Sequence, residues 1–284
     1  MAESGLTVKD LAGLSEPACK FIDALRATTG VLFEPARIRR KAKAEADAAI
    51  TAARANLEIK EIERRAFERI KNREARRQKN IENIVEEATQ QIPPNSTGQA
   101  LDEDWVSEFM NHCQDVSDEK MRQVWSRILA GEFSSPGKYS LRTLNFIKLL
   151  SKKDADLFSR FCSFLWVAGN DLAYLKTDKT EKFLTDNGFP YASHLHLQTL
   201  GLINMEMTLG ITFSATKGVL SYYGRPYQFE FPEGTEKPTI SCMCLTNIAK
   251  ELTSLCASQP SWGYVAALIE SLKTQNNVTV SPLK

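Results

Sequence analysis

The sequence predicts a mainly α-helical chain: a long N-terminal helical arm, a helical bundle, and a C-terminal winged-helix-like α+β module. Three observations carry this. Residues 36–91 contain neither Gly nor Pro and are dense in Ala, Glu, Lys and Arg. Residues 101–169 hold short apolar stripes at helical spacing, separated by Ser, Asp and Pro-Gly stops. Beyond them, two short helical segments precede an alternating β-branched and aromatic stretch, and more helix follows. The predicted divisions are residues 1–35, 36–92, 100–168 and 170–284.

The first division is a short amphipathic unit. Leu11, Leu14, Ala18, Phe21, Ile22 and Leu25 form its stripe, interrupted by Pro17. Such a stripe packs on protein, its own or a partner's. A membrane-surface contact through residues 6–33 is the lesser alternative, because Val31, Leu32 and Phe33 precede a basic cluster.

The second division reads as one helix, on the order of 80 Å long if unbroken. Its apolar stripe is thin: Ile59, Ile62, Ala66 and Ile70, then Ile81, Ile84, Val85 and Ala88. No strict heptad survives through "RIKNREARRQKN". The stripe is too narrow for a core helix and fits coiled-coil-type self-association over part of its length. A homo-oligomer through Ile59, Ile62, Ala66 and Ile70 is therefore expected. Residues 37–80 hold 15 Lys and Arg against 7 Asp and Glu, a local +8 that leaves −7 elsewhere for the overall +1. A basic arm joins a mildly acidic body.

"QQIPPNSTGQ" at residues 90–99 breaks the helix with two prolines and turn formers. In the third division, "DEDWVSEFMNHC" puts Trp105, Phe109 and Cys113 on one face, and Asp102, Glu103 and Asp104 start a helix. Ser117 is the expected cap of "DEKMRQVWSRILAG", which Gly131 ends. Ser140 caps "LRTLNFIKLL", and Ser151 caps a helix read through "KKDADLFSRFCSFLWVAG". The fourth division runs from "TEKFLTDNG" through "YASHLHLQTLGLI" to the hairpin "ITFSATKGVLSYYGRPYQFEF" and the helix "LTNIAKELTSLC".

Composition excludes several functions. Hydrophobic residues make up 43% and charged residues 25%, the mix of a chain that buries a core. No window approaches 18 apolar residues, and "MAESGLTVKDLAGL" lacks the pattern of a signal peptide. The six cysteines are scattered, which fits reduced thiols in the cytoplasm. No phosphate-cradling glycine loop or nucleophile elbow is present. His194 and His196 are two apart on a helix and point in different directions. Cys242 and Cys244 are two apart on a strand and face one way, without the usual structural-zinc spacing. No catalytic residue, metal or cofactor is expected.

Nucleic acid is the alternative partner. Arg37, Arg39, Arg40, Lys41 and Lys43 fall within seven residues and could neutralise phosphates without reading sequence. The helix "YASHLHLQTLGLI" exposes Ser193, His194, Gln198 and Thr199, with no Arg or Lys from Tyr191 to Met207. A groove-reading helix needs such cations, so this one is read as scaffold or protein contact.

Several strings carry a resemblance: "FEPARIRRKAKAEADAA", "RRAFERIKNREARRQKNIENIVEEA", the run from "DEDWVSEFMNHC" to "KDADLF", and "LHLQTLGLI" followed by "LTNIAKEL". They resemble a bacterial and prophage-associated family known as a domain of unknown function. That family is similar, in helical arm plus winged-helix-like tail, to the abortive-infection Abi-alpha proteins. The most specific part holds Trp125, Gly131, Glu132, Pro136, Gly137, Ser140, Arg142 and Thr143. Residues 131–140 read either as a ligand or partner loop or, preferably, as a helix stop, a Pro-Gly turn and a Ser cap. Ala249 departs from the glycine of the family pattern. The resemblance implies phage defence and supplies no catalytic residue. The expected function is a non-enzymatic cytoplasmic assembly protein, with an unidentified protein partner.

Overall fold

The computed structural model describes residues 15–29, 61–94, 101–206 and 210–283. The chain forms two compact units, the first ending at Lys148 and the second beginning at Leu149.

The first unit is helical: α1 (Glu16–Thr29), α2 (Glu61–Thr89), α3 (Glu103–Cys113), α4 (Glu119–Ser134) and α5 (Leu141–Leu149). Helix starts follow local hydrogen-bond chemistry. The Asp102 carboxylate accepts from the Trp105 amide at 2.8 Å, and Asp118 accepts from that of Met121 at 3.0 Å. The cap of α4 is therefore Asp118, one residue past Ser117, because its carboxylate reaches the orphan amide. Nor does α4 stop at Gly131; it continues to Ser134. A Cβ at Gly131 would lie 2.9 Å from the Tyr139 ring, so glycine here serves close packing inside the helix. The core joins Phe21 to Phe133 and Phe109 to Trp125, ring centroids 4.8 and 5.4 Å apart. The α1 stripe is part of it: Ala18, Phe21, Ile22 and Leu25 are buried.

The second unit overturns the mainly-α expectation. After α6 (Lys152–Cys162) come β1 (Leu165–Ala168), β2 (Asp171–Leu175), α7 (Asp178–Asp186), α8 (Tyr191–Thr199), β3 (Ile203–Asn204) and β4 (Gly210–Thr212). Then follow β5 (Lys217–Tyr222), β6 (Arg225–Glu230), β7 (Thr239–Leu245), α9 (Asn247–Thr253), α10 (Trp262–Asn276) and β8 (Thr279–Pro282). The strands make one antiparallel sheet in the order β3-β7-β2-β1-β5-β6-β8, with β4 also on β7. The fold is α+β. The hairpin at residues 217–230 forms, but β1 and β8 flank it, so it is sheet interior and not the wing of a winged helix.

The helix read through residues 152–169 ends at Cys162, and Leu165-Trp166-Val167-Ala168 turns into a strand. A four-residue apolar run has no decisive period of its own. Trp166 settles it by packing on Tyr222, Tyr227 and Phe229, residues from two distant strands. Gly169, at φ +61°, lets the chain reverse into β2. Beneath the sheet, the Tyr264 hydroxyl donates to the Leu175 carbonyl at 3.0 Å and accepts from the Leu175 amide at 3.2 Å. Ala249 is fully buried at the start of α9.

Candidate functional site

The candidate site of the first unit is a face of α2. Ile62, Phe67 and Ile70 are 68%, 54% and 46% exposed, with Ala66 half-exposed between them. At 3.6 residues per turn, eighteen positions are five full turns. Ile62, Ala66, Phe67 and Ile70 therefore align with Asn80, Ile84, Val85 and Ala88, which are buried against the neighbouring helices. One continuous face is covered over its C-terminal half and bare over its N-terminal half.

Arg77 marks the transition. Its guanidinium donates to both Asp115 oxygens, at 2.9 and 2.8 Å, and holds that carboxyl below the usual carboxylate range. Beyond it, Asn80 donates to the Gln114 carbonyl at 2.9 Å, which satisfies a polar group at the edge of the core. Toward the N-terminus the helix is held by its own ion pairs, Arg64 with Glu61 and Glu68 at 2.7 and 2.9 Å. Phe67 was not among the sequence-derived contact residues, although its eighteen-residue spacing from Val85 would have found it. Ile59 and the cluster Arg37, Arg39, Arg40, Lys41 and Lys43 lie outside the described residues.

The motif residues come together around a buried carboxylate. Glu132 accepts from the Gly137 amide at 2.6 Å and the Tyr139 amide at 2.9 Å. Gly137 has φ +83°, a conformation that favours glycine. The Tyr139 carbonyl accepts from the Trp105 indole at 2.7 Å, and Ser140 Oγ accepts from the Thr143 amide at 3.3 Å. Trp125 is core, whereas Pro136 and Arg142 are exposed. The carboxylate thus ties a turn to the end of its own helix.

In the second unit, one sequence-derived position is reversed. His194 is fully buried, not exposed, and Leu195 faces out. Helix α8 is phased by Leu197, three residues on, which turns His194 inward with it. Its ring lies 5.0–5.8 Å from those of Phe161, Tyr174 and Phe189. Burial, with the Lys176 charge nearby, pushes its pKa down to about 4. His196 stays exposed and meets Asp154 at 2.6 Å.

Among the described residues, no group of three or more His, Cys, Asp or Glu side chains could hold a metal ion. Nor is any helix there long and apolar enough to cross a membrane. No curated protein and no solved structure matches the chain. A family model does, over residues 64–269, which takes in most of α2 and nearly all of the second unit. The chain belongs to the family described as protein of unknown function (DUF2806).

Proposed function

We propose that this chain is a non-enzymatic assembly protein that self-associates through the bare face of α2. The observation that carries this is the repeat of one apolar face along a single helix. Its second half is core, while its first half keeps much of the same apolar pattern and is exposed among the described residues. An isolated helix gains little from such a stripe; a second helix laid on it removes the exposed apolar surface from water. The six cysteines are free thiols, which supports placement in the cytoplasm. Anti-phage defence is the biological setting we infer, supported by the resemblance to abortive-infection proteins.

Sedimentation of the full chain tests the assembly. Wild type is expected to be oligomeric at tens of micromolar, a concentration typical of moderate interfaces near about −6 kcal/mol. Ile62→Glu with Ile70→Glu is expected to be monomeric and equally stable. A wild-type monomer, or an oligomer unchanged by the double variant, would sink the reading. Plaque counts with and without that variant test the defence setting.

One observation favours nucleic acid as a second reading. Residues 61–79 carry 8 Lys and Arg against 4 Asp and Glu. Binding through this arm would weaken with salt, with a log–log slope of about −0.9 per phosphate contacted. Changing Arg39, Arg40 and Lys41 to Glu removes the densest cluster of the same arm and would weaken it steeply, leaving the share contributed by residues 61–79. Salt-independent binding would leave assembly alone.

A further inference from the structure

Two thiols from distant parts of the second unit meet, and the assembly reading does not use them. Cys162 is the last residue of α6, and Cys256 lies 94 positions later, in the segment between α9 and α10. Cys162 is buried and Cys256 is half-exposed. Their side chains are in hydrogen-bonding contact, with the Cys162 thiol donating to the Cys256 sulfur. Tyr223, at the tip of the β5–β6 hairpin, stands beside them. Its hydroxyl donates to Ser258 Oγ at 2.7 Å, lies 3.4 Å from the Cys162 carbonyl, and is near enough to feel the charge of both sulfurs.

The contact divides the roles of the two sulfurs. The hydrogen bond to Cys256, together with burial, pushes the Cys162 thiol up, so its proton stays on. A donor favours the ionised form of its acceptor, so Cys256 is the sulfur of the pair that ionises first. It is also the one that solvent reaches. Neither residue belongs to a strand, so a bond of about 2.05 Å closes without breaking a ladder. Cys242 and Cys244 differ in this, because they stand two apart on β7, which β2 and β3 hold on both sides. Alternate residues of a strand have Cα atoms about 6.8 Å apart, at the outer limit of what a disulfide tolerates.

We propose that Cys162 and Cys256 form a reversible disulfide on exposure to hydrogen peroxide, a redox clamp built into the second unit. The Cys256 thiolate attacks the peroxide: an S–O bond forms, the O–O bond breaks, and the leaving hydroxide takes up a proton to become water. The Cys162 sulfur then attacks the resulting sulfenic acid. The S–S bond forms as the sulfenic hydroxyl leaves with the Cys162 proton, as a second water. Two thiols and one peroxide thus give one disulfide and two waters, and a dithiol reductant reverses the step. Disulfides of this transient kind are compatible with thiols that are otherwise kept reduced. The bond ties the end of α6 to the segment before α10 and closes a loop that spans β1 to β7. Closing so long a loop restricts the unfolded chain, so oxidation stabilises the unit.

The test treats the reduced full-length chain with hydrogen peroxide and reads free thiols, peptide maps and melting. Wild type is expected to lose two of its six free thiols and to yield one peptide pair joined through Cys162 and Cys256. It should also melt roughly 10 °C higher, and dithiothreitol should reverse each change. Cys256→Ser should keep its remaining thiols and show no gain in melting temperature. Cys162→Ser should stop at a sulfenic acid on Cys256, which dimedone traps. Cys242→Ser, which alters a thiol outside the pair, should respond as wild type. Circular dichroism shows whether each variant is folded, and the half-exposed Cys256→Ser decides if the buried Cys162→Ser is not. A melting gain that survives in Cys256→Ser overturns the clamp, as does a peptide map that joins Cys242 to Cys244 or shows no cross-link. Neither result bears on assembly through α2, which is tested separately.

Discussion

From Asn80 to Ala88 this face of α2 is core, packed on α3 and α4; from Ile62 to Ile70 the same face is exposed among the described residues. Three of the four aligned pairs are apolar in both halves, Ala66 with Ile84, Phe67 with Val85 and Ile70 with Ala88, while Ile62 aligns with the polar Asn80. The fate of an amphipathic stripe therefore depends on whether its own chain supplies the second layer. Where it does, the stripe contributes to folding stability. Where the described residues do not cover it, the helix carries local ion pairs and its stripe stays exposed.

The largest effects should separate the two halves. Ile84→Ala empties a fully buried position and is expected to cost about 2–5 kcal/mol in denaturant unfolding. Ile62→Ala should stay within about 0.5 kcal/mol of wild type when measured on dissociated protein. Similar losses at both sites would mean that the arm is folded into something as tightly as the core is.

The second unit offers the same contrast within one helix, where His194 is buried and His196 exposed. A pKa lowered from 6.5 to about 4 means that unfolding takes up a proton at intermediate pH. The stability from the neutral ring is fully present above pH 6.5 and is lost as pH falls through about 4. The loss amounts to about 3 kcal/mol, at 1.36 kcal/mol per unit. Thermal melts at several pH values should show this slope, and His194→Leu should flatten it. An unchanged slope in the variant would assign it to other groups.

Three smaller effects follow, two in the motif turn and one at the boundary between covered and bare helix. Glu132→Gln leaves the turn amides of Gly137 and Tyr139 with a weaker, partly mismatched acceptor, and should cost about 1–3 kcal/mol in melting experiments. Arg142→Ala, on an exposed side chain of the same motif, should leave melting unchanged; loss of activity in a plaque assay would then make the motif a contact surface. Arg77→Ala should lower melting only slightly, less than Glu132→Gln, because Arg77 and Asp115 pair close to solvent. The folded Asp115 pKa is depressed, so this contribution is present above the unfolded carboxylate pKa and lost as pH falls through the folded one. A larger cost would mean that the pair anchors the arm to α3.

Local chemistry was legible in the sequence where a short segment decides its own structure. The caps at Ser140 and Ser151, the buried stripe of α1 and the hairpin at residues 217–230 each rest on a few adjacent residues. The candidate face of α2 was legible too, through the period of Ile62, Ala66 and Ile70. Phe67 escaped because it lies at the edge of that stripe, and only its alignment with Val85 reveals it.

Tertiary structure alone decided what depends on distant partners. Residues 165–168 form a strand because Trp166 finds Tyr222, Tyr227 and Phe229, which no local period announces. β7 lies between β2 and β3 through pairings such as Tyr174 with Met243 and Ile203 with Leu245, far apart in the chain. His194 faces inward because three aromatic rings from other segments close around it. Helix periodicity and capping act within one or two turns and are written in adjacent residues. Strand pairing, and the choice of which half of α2 is covered, depend on surfaces that exist only once the chain has folded.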